Sequence, residues 1–316
     1  MNGRNRHIQY RKSVYRKRKI RTVILTLVAV LVILAVAFLV IGLLLGKQSE
    51  TRNEGRGDKE TTADTTPAQT IPSAVQGYPV LLETADSSTF FSRIEALSAS
   101  GGSYASIPLN TANGRLLYRS DLAISLGLQG AQDRSVSVAT ACESVSSLPV
   151  TLGGIYYLTA FAEENDLLRS VRLSEEAAVI AEAMRDGMDE VLLVLPVWKD
   201  GQTAELIRLM ENVRALAPKA ILGVTLPPSA VSAENGAATV DLLSSHADFL
   251  ALDATAYGAI DPAAYITETI SGGGMRYYLL RYGMRVLIPS GTAAVSQDAL
   301  IAAVRESGSE SFQILS

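Results

Sequence analysis

The chain is short of the side chains that most nucleophilic and metal-dependent enzymes rely on. Its 316 residues include one cysteine, Cys142, so an intramolecular disulfide is excluded. There are two histidines, His7 and His246, and one tryptophan, Trp198. A zinc site draws on several Cys or His ligands, and one thiol with one imidazole does not supply them. No Gly-x-Ser-x-Gly elbow is present. Gly272-Gly273-Gly274 lacks the strand before it and the helix start after it that a phosphate-cradling loop requires. It reads as a break in a helix. No metal and no cofactor is expected.

Acids are missing from the first 21 residues, which carry nine Lys or Arg: Arg4, Arg6, Arg11, Lys12, Arg16, Lys17, Arg18, Lys19 and Arg21. Charge of either sign is then missing from Thr22 to Leu45. About 20 apolar residues cross the bilayer core as a helix, and a basic flank stays on the cytoplasmic side. The run is longer than a signal-peptide core and no small-residue cleavage site follows it. The expectation is an uncleaved, single-pass anchor in the cell membrane, with the C-terminal part outside. Gly42 and Gly46 form a G-x-x-x-G, a weak basis for pairing of two such helices.

Four segments follow from these shifts in composition. Residues 1–21 are a basic cytoplasmic tail and 22–46 the transmembrane helix. Residues 47–77, rich in Thr, Ser, Glu, Asp, Gly and Pro, bury too little to order themselves and read as a polar linker. Residues 78–316 are the extracytoplasmic domain. Outside the tail, 28 − 9 = 19 basic residues face 32 acidic ones, a formal charge of 19 − 32 = −13. Such a surface does not neutralise phosphates, so nucleic acid is not an expected partner. An exported domain without disulfides fits a bacterial envelope.

The domain alternates short apolar runs with helically spaced segments. The runs lie at 79–82, 103–109, 154–159, 190–195, 220–226, 248–252, 285–289 and 312–315. Between them, Leu206, Ile207, Met210, Val213 and Leu216 share one helical face. Ser174 is a candidate N-cap for a helix ending at Gly187, and Ser296 for one ending at Gly308. Strands alternating with helices imply parallel pairing and right-handed crossovers. Eight strands predict a (β/α)₈ TIM-type barrel, ending at its eighth strand without a final helix. Residues 110–135 read as a longer connection with a small hairpin at 114–118.

Arg115-Leu116-Leu117-Tyr118-Arg119-Ser120, Gly154-Ile155-Tyr156-Tyr157-Leu158-Thr159-Ala160-Phe161 and Gly187-Met188-Asp189-Glu190-Val191 resemble segments of the glycoside-hydrolase-like barrels of bacterial surface proteins. That group is distantly related to chitinase-like and amylase-like barrels. The resemblance implies a TIM barrel, a saccharide ligand, and an acid at the end of the fourth strand. Here the sequence departs from the pattern: Val194 falls at the acidic position.

Active sites of such barrels form at the C-terminal strand ends. His246, just before the sixth strand, falls at the opposite end. Glycoside hydrolysis needs two carboxylates, one as acid and one as nucleophile or base. Asp253, where an apolar strand stops abruptly in an acid, and Glu83, after the first strand, are the catalytic candidates. Trp198, Glu163 and Asp200 are the candidates for ligand contact, the indole being suited to stacking on a sugar ring. Each carries an ordinary alternative: rim-bonding carboxylates, a solvated loop at 163–166, a ring packed over the barrel edge. The preferred reading is an anchored barrel with degenerate catalytic positions that binds cell-wall or other saccharide. An active glycosidase using Asp253, and a purely structural envelope partner, stay open.

Overall fold

A computed structural model of the chain describes residues 74–82, 86–195, 198–199, 201–256, 260–271, 274–291 and 295–315. The expected membrane helix, with Gly42 and Gly46, lies outside the described residues, as do Glu83 and Asp200. Among the described residues, no helix is long and apolar enough to cross a membrane.

Eight parallel strands close into a barrel in sequence order. They are β1 (Gln76–Pro79), β2 (Tyr104–Pro108), β3 (Thr151–Tyr157), β4 (Glu190–Val194), β5 (Leu222–Leu226), β6 (Phe249–Asp253), β7 (Arg285–Pro289) and β8 (Phe312–Leu315). β1 pairs with β8, Gln76 opposite Phe312, which closes the ring. The helices between them are α1 (Ser87–Ala99), α2 (Asp121–Ser125), α3 (Val138–Val145), α4 (Asp166–Arg185), α5 (Thr203–Leu216), α6 (Pro228–Ser232), α7 (Gly236–Ser244), α8 (Pro262–Ser271), α9 (Met275–Tyr282) and α10 (Gln297–Glu306).

Four expectations shift. β1 begins at Gln76, inside the range read as linker, and stops at Pro79. The apolar Val80 and Leu82 that suggested the strand are buried beyond its end, on the way to α1. Burial, not pairing, produced that signal. α4 begins at Asp166, two turns before Ser174, capped by Asn165, whose side chain accepts from Leu167 N and Leu168 N at 3.0 Å each. Those turns leave Leu167, Leu168 and Val171 exposed, so they carry no buried stripe. On α5 the buried face is Leu206, Leu209, Met210 and Val213, while Leu216, the last residue, is exposed. The connection after β2 carries a small hairpin, as expected, but a few residues earlier than 114–118. A tight turn at Thr111–Gly114 brings Leu116 back against Asn110, and α2 and α3 follow. α8 ends at Ser271 and α9 starts after Gly274, whose φ is +77°; Gly272 and Gly273 lie outside the described residues.

Two apolar clusters result from the alternation of side chains along each strand. One lies between sheet and helices. The other, Ile155, Leu192, Val194, Phe249, Ala251 and Leu287, fills the barrel. Beneath it, at the N-terminal strand ends, sits a buried polar group. Arg285 Nη2 donates to Glu190 Oε2 at 2.9 Å, and a second, shorter bond joins Nη1 to Oε1. The Tyr104 hydroxyl donates to Glu190 and accepts from Gln313 Nε2 at 2.7 Å. The guanidinium lies 3.7 Å from the Phe249 ring centroid. Burial opposes the charge of Arg285, but the bonds and charges of Glu190 and Tyr104 hold its pKa above the ordinary value. Gly153 is the small partner of this layer: a Cβ there would overlap the Tyr104 phenol.

Candidate functional site

The strands end, at the mouth of the barrel, in Pro79, Pro108, Tyr157, Val194, Leu226, Asp253, Pro289 and Leu315. Three of these are prolines, which end a ladder because they bring no N–H to it. Asp253 is the one acid among the eight. Val194 ends β4 buried in the interior cluster.

Asp253 is half-buried, and its Oδ1 accepts from Thr255 N at 2.9 Å and Thr255 Oγ1 at 2.6 Å. This local bonding is the ordinary role of an aspartate that ends a strand. Its charge also reaches β3. Burial first, and then Asp253, push the pKa of the Tyr157 phenol upward. A carboxylate and a phenol from strands three apart in the ring therefore share the mouth. Tyr157 is fixed from the other side by Asn110, buried just after β2. Asn110 Nδ2 donates to Tyr157 O at 2.9 Å, and Asn110 Oδ1 accepts from Tyr157 N at 2.7 Å. The side-chain amide thus extends the β2–β3 pairing past Pro108.

Trp198 is half-buried and packs against the sheet–helix core. Glu163 lies at the entry to α4. Its carboxylate accepts from Asn165 N at 3.3 Å, and its carbonyl accepts from Arg169 Nη1 at 3.0 Å. Arg169 also pairs with Asp166 and Glu205, so Glu163 belongs to a network at the start of α4. The described residues place Asp253 and Tyr157 at the ends of β6 and β3, and Trp198 and Glu163 on the loops after β4 and β3. His246 lies below β6, where Ser245 Oγ and Leu242 O approach its Nδ1 at 3.0 Å.

With a helix start at Ser174, Glu176 reads as an acid of the first turn and not as a site residue; the helix begins instead at Asp166, which puts Glu176 in its interior. It is buried on α4, and its Oε1 accepts from Thr159 N at 2.8 Å, Thr159 Oγ1 at 2.7 Å and Ala160 N at 3.2 Å. It caps the short 3₁₀ turn Thr159–Ala162 that follows β3. Burial pushes its pKa up, and those three bonds oppose the shift, leaving it at about 7. A sequence signal existed: Glu176, Val179, Ile180 and Ala183 form one helical stripe, with the acid on its apolar side. Tyr157 and Asn110 left no such trace, because their pairing depends on β2 and β3 lying side by side.

Among the described residues, no group of three or more His, Cys, Asp or Glu side chains is gathered as metal ligands. What the strand ends offer is hydrogen bonding, from a carboxylate, a phenol and a threonine hydroxyl.

No family model matches the chain, and no curated protein matches it. Solved barrels do match. A candidate alpha-L-fucosidase of Bacteroides thetaiotaomicron is 10% identical with a TM-score of 0.53, over 82% of this chain and 91% of that one. The spore cortex-lytic enzyme SleL of Bacillus megaterium is 7% identical, TM-score 0.47, over 76% and 70%. An aldolase, QR15, is 12% identical, TM-score 0.43, over 76% and 89%. At these identities the likeness is one of fold: an eight-stranded parallel barrel with alternating helices.

Proposed function

We propose that the protein is a membrane-anchored, extracytoplasmic barrel related to glycoside hydrolases, which binds cell-wall or other saccharide at its mouth without hydrolysing it. The observation that carries the reading is the set of strand ends, which includes one carboxylate, Asp253. Hydrolysis calls for two carboxylates, roughly 5–5.5 Å apart for retention or 6.5–9.5 Å for inversion. General acid–base help is worth about 10²–10⁴-fold, so its loss leaves little turnover. Binding needs no proton transfer. In this reading Asp253, Tyr157 and Thr255 present hydrogen-bonding groups to sugar hydroxyls, and the exposed part of the Trp198 ring, on the loop after β4, supplies the stacking surface. The anchor rests on the basic flank and the uncharged run at 22–45.

The test uses the full chain in detergent micelles, screened against peptidoglycan fragments and common glycosides for binding and for turnover. Binding without turnover is expected, weakened about 3–10-fold by Trp198→Ala, the scale of one aromatic contact. Asp253→Asn, which keeps the shape and removes the charge, weakens it if the carboxylate touches ligand. Hydrolysis abolished by Asp253→Asn would overturn the reading in favour of an active glycosidase. Failure to bind any glycan would leave the barrel an interaction scaffold.

A further inference from the structure

Two buried glutamates are satisfied differently. Glu190 has both oxygens bonded, to Arg285 and to Tyr104. Glu176 does not. Its Oε1 takes three donors, Thr159 N, Thr159 Oγ1 and Ala160 N, while its Oε2, also buried, meets none. A carboxyl with one oxygen bare in such surroundings keeps its proton, because a buried charge without a partner is costly. The groups around it do not relieve that cost. Arg172, exposed on α4 itself, favours the charge, but less than the three bonds do, and Glu175 beside it carries like charge. Tyr156 of β3 faces it with a phenol that burial first, and then Glu176 and Tyr118, keep neutral. Arg115, next to the Gly114 that backs onto Thr159, is paired with Asp133, and Arg169 with Asp166 and Glu205. The turn that Glu176 holds, Thr159–Ala162, starts two residues after Tyr157 and is tied to the loop after β4. The buried Gln202 donates from Nε2 to Phe161 O at 3.4 Å and accepts at Oε1 from Lys199 N at 3.0 Å, next to Trp198.

We propose that Glu176 is a proton-operated latch on the mouth. With its proton it keeps the turn after β3 closed; on ionisation the bare Oε2 draws water in, the turn opens, and Gln202 carries the movement to Trp198 and Lys199. The direction with pH follows from linkage. In the open turn the carboxyl is hydrated and titrates near the ordinary 4.5; in the closed turn it titrates at about 7. Opening therefore releases a proton between those values. The open population rises from pH 4.5 to 7, by up to about tenfold per pH unit, and levels off above. The latch stands on α4, β3 and the two loops alone. Its bearing on saccharide rests on the function proposed above, and there binding is tighter at pH 5 than at pH 8.

The test follows the full chain in detergent micelles from pH 5 to pH 8 by amide hydrogen exchange and by the emission of Trp198, the chain's one indole. After correction for the intrinsic rate, protection of the Thr159 and Ala160 amides should be at least about tenfold lower at pH 8 than at pH 5. At pH 8 it should also lie below that of Val191 in β4, whose exchange reports opening of the whole barrel. Trp198 emission should shift over the same range. Glu176→Gln, of the same shape and without a charge, should abolish both responses. His246→Gln, at the other end of the barrel, should abolish neither. Gln202→Ala should keep the exchange response and lose the Trp198 shift. Protection at Thr159 that merges with that of Val191, no fall in it between pH 5 and pH 8, or a response undiminished in Glu176→Gln would each overturn the latch. A Trp198 shift that survives Gln202→Ala would overturn its transmission to the loop after β4. Glycan binding is measured separately at pH 5, where the latch is closed, so its failure is separate from that of the latch.

Discussion

Glu176 titrates far from where an exposed carboxyl does, and the sign of its effect on stability follows from that. Its pKa is about 7 in the folded chain against 4.5 ordinarily. Between those values the folded state holds a proton that the unfolded state has released. Stability from this group is therefore full below pH 4.5 and is lost as pH rises towards 7 and beyond. The loss approaches about 3 kcal/mol at 1.36 kcal/mol per pH unit. Glu176→Gln keeps an acceptor for Thr159 and Ala160 and removes the titration. Chemical denaturation of both proteins at pH 5 and pH 8 should show the variant losing less between the two. Equal losses would mean that the carboxyl is already ionised at pH 5. At this scale the sequence was unevenly legible. Asp253 announced itself as an acid closing an apolar strand. Glu190 and Arg285 did not, because a charge opening a strand looks like a solvent boundary. Their meeting across the interior is set by the closure of the ring.

Most strands were legible as elements, and their edges were not. β7 and β8 fall where the apolar runs place them. β1 and α4 were misplaced for opposite reasons. The Val80–Leu82 run is buried without being paired, and the first turns of α4 are helical without being buried. What starts α4 is therefore its cap and not its packing. Asn165→Ala should cost about 1 kcal/mol, the usual value of such a cap. Faster hydrogen exchange at the Leu167 and Leu168 amides should accompany it, with α4 beyond Ser174 unchanged. Uniform loss of protection along the whole helix would show that packing holds the first turns after all.

Because β1 pairs with β8, the whole barrel depends on a four-residue strand at the far end of the chain. Removing residues 309–316 would leave both β7 and β1 with unpaired backbone and uncover Tyr104, which bonds Gln313. The truncated chain should lose the sharp thermal transition of the parent by circular dichroism, with far-UV helical signal in part retained. A transition of undiminished steepness would mean that the first seven strands are self-sufficient. The seams of the fold were legible only in part from the sequence. The count of eight strands predicted closure, but which side-chain layer would fill the lumen depended on register. That layer decides how the molecule meets anything at its rim. The lumen is plugged from below by the Glu190–Arg285 pair and through its middle by Ile155, Leu192 and Leu287, so no passage runs through the ring from one face to the other, and no chain can be threaded along its axis.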